Sequence, residues 1–249
     1  MKRYSMLSLL VLLFSVAACG DDDDSGSGPS GDPINNPAAT QSAVSAMETT
    51  NNLRSLSDDP GNQQALGGVG QLYGNYSSIL GAKYAAQQQQ SLTVGYLTAQ
   101  GSMSQGLDAI ANADWEDCYT VDGDTATYDN CESGGSTING TITGTETSIT
   151  LDIEVTSDQS GTSFNMTMEG SLEFSDTSVV GTLHFDIDGT AQGTEFNYDV
   201  TADYDVELTD GCATGGTLEI DGSWSYSGQN VEATAYITFG PTCGDAELR

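Results

Sequence analysis

The chain has 249 residues, of which 36 are acidic and only five are lysine or arginine, so its formal net charge is −31. Binding to nucleic acid requires cationic side chains that neutralise phosphates, and this composition therefore excludes it. The length permits one large domain or two small ones, with enough chain for a sizeable hydrophobic core.

Residues 1–18 are typical of an export signal. Lys2 and Arg3 give a positive start, and the apolar run from Tyr4 to Val16 is too short for a typical membrane-spanning helix. The next residues, VAAC up to Cys19, resemble the lipobox of bacterial lipoproteins, in which small residues precede an obligatory cysteine. This resemblance implies cleavage before Cys19, acylation of its thiol and anchoring to a membrane through that lipid.

Residues 19–37 are predicted to form a flexible acidic tether. The sequence after the cysteine, GDDDDSGSGPSGDPINNP, has too little apolar surface to fold and would span about 20–25 Å as a coil. Gly20 stands where inner-membrane retention signals commonly have Asp, so the resemblance implies the bacterial outer membrane. The run Asp21 to Asp24 resembles the acidic tract that sends some lipoproteins, notably of the Bacteroidota, to the cell surface, and both the periplasmic and the surface location stay open.

Residues 38–114 form a predicted helical segment. Apolar side chains recur at three- and four-residue spacing in two stretches, around Val69, Tyr73 and Tyr76 and again over residues 92–110. A weaker helix is expected near residues 38–56, ending before the turn cluster SDDPG.

Residues 115–249 show an apolar period of two, which is typical of β-strands. In the clearest segment, residues 194–208, the apolar side chains all fall on one face and the polar ones on the other. About nine such strands with short connections predict an α+β fold in which N-terminal helices pack on a long-stranded antiparallel meander. The sheet is expected to curl into a half-barrel or a barrel, because its apolar face must be covered.

Four cysteines remain besides Cys19, and an even number in an exported chain indicates two disulfides. Cys118 and Cys131 flank the turn DGDT, while Cys212 and Cys243 are nearly equidistant from SGQN. Each pair would lie across its own hairpin, which predicts these two bonds among the three connectivities. The absence of CxxC spacing and the single histidine predict no metal site and no cofactor.

Residues 184–195 are similar to a calcium-binding EF-hand loop at Asp186, Asp188, Gly189 and Glu195, but His184 replaces the obligatory first aspartate. Alternation of apolar residues around His184 indicates a strand that runs into a hairpin instead. The sequence has no G-x-S-x-G, H-E-x-x-H or P-loop motif, so no catalytic residues and no enzymatic activity are predicted.

Three functional hypotheses follow. The first is a membrane-tethered extracytoplasmic lipoprotein that binds a hydrophobic ligand between helices and sheet, as the similar half-barrel architecture of lipoprotein carriers implies. The residues expected to bind that ligand are Phe196, Tyr198, Tyr204 and Trp224. The alternative is a structural or adhesive cell-surface protein with an acidic, calcium-binding face. The least favoured is a hydrolase that uses two carboxylates.

Overall fold

The computed structural model describes residues 32–59, 63–86, 118–133, 135–159, 161–191 and 193–249. The predicted signal peptide, Cys19, the first part of the tether and the predicted helix over residues 92–110 lie outside the described residues. None of the described helices is long and apolar enough to cross a membrane.

Among the described residues, three helices precede the sheet: α1 Pro37–Leu53, α2 Ser55–Asp58 and α3 Gln63–Ala86. The start of α1 is set by Asn36, whose side-chain oxygen accepts hydrogen bonds from the backbone amides of Ala38 and Ala39 at 3.1 and 3.2 Å. In α3 the apolar side chains at helical spacing, including Tyr73 and Tyr76, are buried. The predicted helices near residues 38–56 and around Val69 to Tyr76 are therefore present.

In the part of the chain that the structure describes, ten strands follow in chain order. They are β1 Tyr119–Asp122, β2 Thr125–Ser133, β3 Ser136–Thr145, β4 Ser148–Gln159, β5 Thr162–Phe174, β6 Ser178–Ala191, β7 Thr194–Thr209, β8 Cys212–Tyr226, β9 Gln229–Phe239 and β10 Ala246–Leu248. Each pairs antiparallel with the next, so the order in the sheet is the order in the chain. The predicted α+β class and the antiparallel meander are confirmed.

One detail of the predicted sheet is wrong. The described strands number ten, in agreement with the prediction of about nine, and the shortest is β10 with three residues. The described sheet is open, with β1 and β10 as its edges, so the closed-barrel alternative is incorrect. Both edge strands are short, which limits the unpaired backbone that an edge presents to other chains.

The two faces of the sheet differ as the alternation predicts. Along β7, side chains from Phe196 to Leu208 alternate between buried and solvent-facing positions, and the buried ones are the apolar ones. The solvent-facing side is rich in Asp, Glu, Thr and Asn. The long strands therefore give one apolar face and one polar face, which is called the outer face below.

The apolar face contacts the helices. The ring of Tyr73 on α3 lies 6.1 Å from the ring of Tyr198, and the ring of Tyr76 lies 5.7 Å from that of Phe185. At Gly222 of β8 the helix comes so close that a Cβ atom would collide with the side chain of Leu80. The Tyr84 hydroxyl, one turn further along α3, donates a hydrogen bond of 3.4 Å to the Gly222 carbonyl. Glycine at this position thus permits the close packing of α3 on β8.

The two disulfides join the cysteine pairs that the hairpin spacing predicts. The Cys118–Cys131 bond joins the residue before β1 to β2, with a Cα–Cα distance of 5.4 Å. Cys212 and Cys243 bridge the start of β8 and the segment after β9, with a Cα–Cα distance of 5.5 Å. Each bond therefore closes one hairpin.

Candidate functional site

The four residues predicted to bind a hydrophobic ligand lie on the buried face of β7 and β8. Phe196, Tyr198 and Trp224 form one aromatic cluster, in which the ring centres of Phe196 and Tyr198 are 6.0 Å apart and those of Tyr198 and Trp224 are 5.6 Å apart. Tyr204 lies six residues after Tyr198 on β7. All four side chains are at most 3% exposed.

Helical side chains pack directly against these residues. The ring of Tyr73 meets Tyr198 edge-on, and the Tyr76 hydroxyl hydrogen-bonds the Tyr204 hydroxyl. The Thr50 hydroxyl of α1 lies 3.0 Å from the same Tyr204 oxygen. Burial raises the pKa of Tyr204 to about 12, so its hydroxyl stays protonated and available as a donor. These contacts join the helices to the sheet at the positions where the ligand was predicted.

The outer face holds a different feature, a groove of about 820 Å³. It lies near the end of the sheet where the β2–β3, β4–β5, β6–β7 and β8–β9 turns meet. Seven side chains that line it are directly opposite one another on seven consecutive strands, from β3 to β9. We call them the amide and hydroxyl row; they are Thr137, Thr156, Asn165, Asp188, Asn197, Ser225 and Asn230.

The charge of this row differs from that of its neighbour on the same face. Asp188 is the only carboxylate in the amide and hydroxyl row. The next row away from the turns, which we call the acidic row, contains four carboxylates among seven residues: Asn139, Glu154, Thr167, Asp186, Asp199, Ser223 and Glu232. The amide and hydroxyl row is therefore less acidic than its neighbour, although Asp158 and Glu195 also line the groove.

Hydrogen bonds organise part of the groove. The Asn197 amide nitrogen donates to an Asp186 carboxylate oxygen in the acidic row at 3.3 Å, which fixes the orientation of the amide. On the rim, the hydroxyls of Ser163 and Thr190 lie 2.9 Å apart. Among the described residues, the amide oxygen of Asn165 is buried and accepts no hydrogen bond. The centre of the row thus contains one oriented amide and one unused acceptor.

His184 lies on the outer face, outside the groove. Its Nε2 atom is 3.1 Å from an Asp199 oxygen, and its Nδ1 atom is 3.4 Å from a Glu169 oxygen. The segment similar to a calcium loop is part of the β6–β7 hairpin, so Asp186 and Asp188 belong to an extended strand and not to a loop wound round one ion. In the part of the chain that the structure describes, no three His, Cys, Asp or Glu side chains are grouped so that they could hold a metal ion.

The amide and hydroxyl row was missed by sequence reasoning. Its residues are unremarkable one at a time, because Asn, Thr and Ser are common beside turns. The row becomes visible only when the register of seven strands is known. No protein-family model, curated protein or solved structure gives a significant match to this chain.

Proposed function

We propose that this protein is a lipid-anchored extracytoplasmic protein of the bacterial outer membrane that binds a polar partner through the groove on the outer face of its sheet. The lipobox-like sequence ending at Cys19 and the polar tether after it support the anchoring. Two disulfides are in keeping with an oxidising compartment outside the cytoplasm. No catalytic activity is part of this proposal.

The observation that carries the binding role is the groove itself. The apolar face is in contact with α1 and α3, whereas the outer face has a groove lined by a row of amides and hydroxyls that spans seven strands. Concave sites with several convergent polar groups are the usual places for specific ligands. This proposal therefore favours the adhesive, surface-binding alternative from the sequence over the hydrophobic pocket.

We also propose that the sheet is curved into a half-barrel. The helix α2 contacts β3 and β4, while α1 contacts β8 and β10 and α3 contacts β8 and β9. One helical layer thus touches strands towards both edges of the sheet, which a sheet curled around the helices would allow.

A hydrophobic ligand is the second candidate, and the buried aromatic cluster of Phe196, Tyr198 and Trp224 favours it. Titration of the purified protein with a fluorescent fatty acid tests this candidate. Saturable binding at one site per chain would favour it over the polar partner.

The anchor is tested by mass spectrometry and fractionation of cells that produce the full chain. We expect a diacylated or triacylated Cys19 in the membrane fraction, loss of the lipid in the Cys19→Ser variant, and no change in the control Ser25→Ala within the tether. Protease treatment of intact cells then separates the surface location from the periplasmic one. An unmodified amino terminus upstream of Cys19 contradicts the proposed anchoring.

The binding face is tested by photo-crosslinking on intact cells. A diazirine amino acid at Thr156 would lie in the groove, and the same probe at Thr150 would lie on the same strand and the same outer face but outside the groove. We expect an adduct from position 156 and none from position 150. Equal labelling at both positions, or none at either, would contradict the proposed site.

A further inference from the structure

We propose that the groove binds a neutral polysaccharide chain that runs across the β-strands, perpendicular to them. This inference rests on the proposed binding role of the groove and names the class of its partner. It is argued from the length of the amide and hydroxyl row, from the chemistry of its side chains and from the charge around it.

The length of the row suits an extended polymer. Seven strands spaced about 4.8 Å apart give a strip of about 29 Å from Thr137 to Asn230. A sugar ring in an extended glycan is about as long as the distance between neighbouring strands. Consecutive rings can therefore meet the side chains of consecutive strands, so one glycan can contact the whole row.

The side chains of the row match sugar hydroxyls, which both donate and accept hydrogen bonds. Asn165, Asp188 and Asn197 are directly opposite one another on β5, β6 and β7, at the centre of the row. An amide supplies two donors and an acceptor, and a carboxylate accepts two hydrogen bonds at once. A ring that places adjacent hydroxyls over Asp188 would find an amide on each side, from Asn165 and from Asn197.

The surrounding charge disfavours anionic polymers. An anionic polysaccharide or nucleic acid would be repelled by Asp188, by the rim carboxylates Asp158 and Glu195 and by the acidic row. A cationic chain would be attracted by the same carboxylates, but six of the seven side chains in the amide and hydroxyl row are uncharged hydrogen-bonding groups, which match hydroxyls. The groove therefore favours an uncharged chain that binds through hydrogen bonds.

The test is isothermal titration calorimetry on the full-length lipidated protein in a detergent without a sugar headgroup. The probes are neutral hexasaccharides of glucose, xylose and mannose, with a galacturonate oligomer and a chitosan oligomer as the anionic and cationic comparators. We expect at least one neutral hexasaccharide to bind with an affinity that added NaCl does not change, and to bind more tightly than its disaccharide, since more strands are contacted.

The variants are Asn165→Ala and Asn197→Ala, and the control is Ser171→Ala, which lies on β5 and on the same outer face outside the groove. Loss of a hydrogen-bonding partner predicts that each asparagine variant weakens binding about tenfold and that the control changes it by less than about twofold. Circular dichroism and thermal melting of all three variants show whether the fold is retained.

Three outcomes overturn the inference: no neutral hexasaccharide binds, only the chitosan oligomer binds in a salt-sensitive manner, or the asparagine variants bind like the wild type. If any of these occurs while the crosslink from position 156 forms on cells, the groove binds another partner and the proposed function stands. If that crosslink is missing as well, both fail.

Discussion

The hydroxyl groups of Tyr76 on α3 and Tyr204 on β7 share a hydrogen bond, although 128 residues separate them in the chain. The Thr50 hydroxyl of α1 lies 3.0 Å from the Tyr204 oxygen, and it donates a hydrogen bond of 2.8 Å to the carbonyl of Ala46. All three side chains are buried. Two helices and the sheet are therefore held together by a polar contact inside an otherwise apolar layer.

Removal of the Tyr204 hydroxyl should destabilise the protein. In the Tyr204→Phe variant, the hydroxyls of Tyr76 and Thr50 lose a buried partner, and we expect the free energy of unfolding to fall by about 1–3 kcal/mol. Urea unfolding measures the change. The control is Tyr236→Phe, whose side chain is on the outer face and which should lower the stability by less than about 0.5 kcal/mol. Equal losses of unfolding free energy in the two variants would show that the buried hydrogen bonds of Tyr204 do not stabilise the fold.

The buried tyrosines should make the fold sensitive to alkali. Burial raises the pKa of Tyr84 and of Tyr204 to about 12, whereas a tyrosine in the unfolded chain has a pKa of about 10. The unfolded state therefore releases protons first, so the stability is fully present below pH 10 and falls as the pH rises towards 12.

This alkaline effect is measured by tyrosinate absorbance and circular dichroism in one titration. We expect exposed tyrosines to ionise before the fold is lost and the buried ones to ionise together with unfolding. Complete ionisation of the ten tyrosines that follow Cys19, in a protein that keeps its circular dichroism spectrum, would refute the prediction.

The two disulfides should differ in their contribution to stability. The Cys212–Cys243 bond closes a loop with a sequence separation of 31, and the Cys118–Cys131 bond closes one of 13. Loop entropy in the unfolded chain predicts losses of about 4 and about 3 kcal/mol when each pair is replaced by serine. Denaturant unfolding of Cys212→Ser/Cys243→Ser and of Cys118→Ser/Cys131→Ser compares them, and a larger loss in the second variant would contradict the expected order.

Close packing of α3 on β8 should make Gly222 intolerant of larger residues. In Gly222→Val the new side chain collides with Leu80 in a filled core, and we expect a loss of about 1–3 kcal/mol. Gly74, in the same helix α3, has nothing within 4 Å of an added Cβ. Gly74→Ala should therefore stabilise the protein by about 0.5–1 kcal/mol through helix propensity. Thermal melting should show a lower melting temperature for Gly222→Val and a higher one for Gly74→Ala.

The sequence by itself determined the features that arise from local patterns. Alternation along residues 194–208 shows which side chains of β7 are buried, because a strand turns successive residues to opposite faces. The spacing of Cys118 from Cys131 and of Cys212 from Cys243 predicts their pairing, because partners in a hairpin are close in sequence. Helical spacing around Tyr73 likewise predicts the buried face of α3.

Only the tertiary structure decided which distant residues meet. The Tyr76 and Tyr204 contact, the open edges at β1 and β10 and the amide and hydroxyl row depend on the register of many strands at once. Each turn and each β-bulge shifts that register, so an alignment of Thr137 with Asn230 across seven strands cannot be obtained from any local pattern. Local patterns assign a side chain to a face, whereas the register accumulated over the whole sheet sets its neighbours on that face, and the proposed binding site consists of such neighbours.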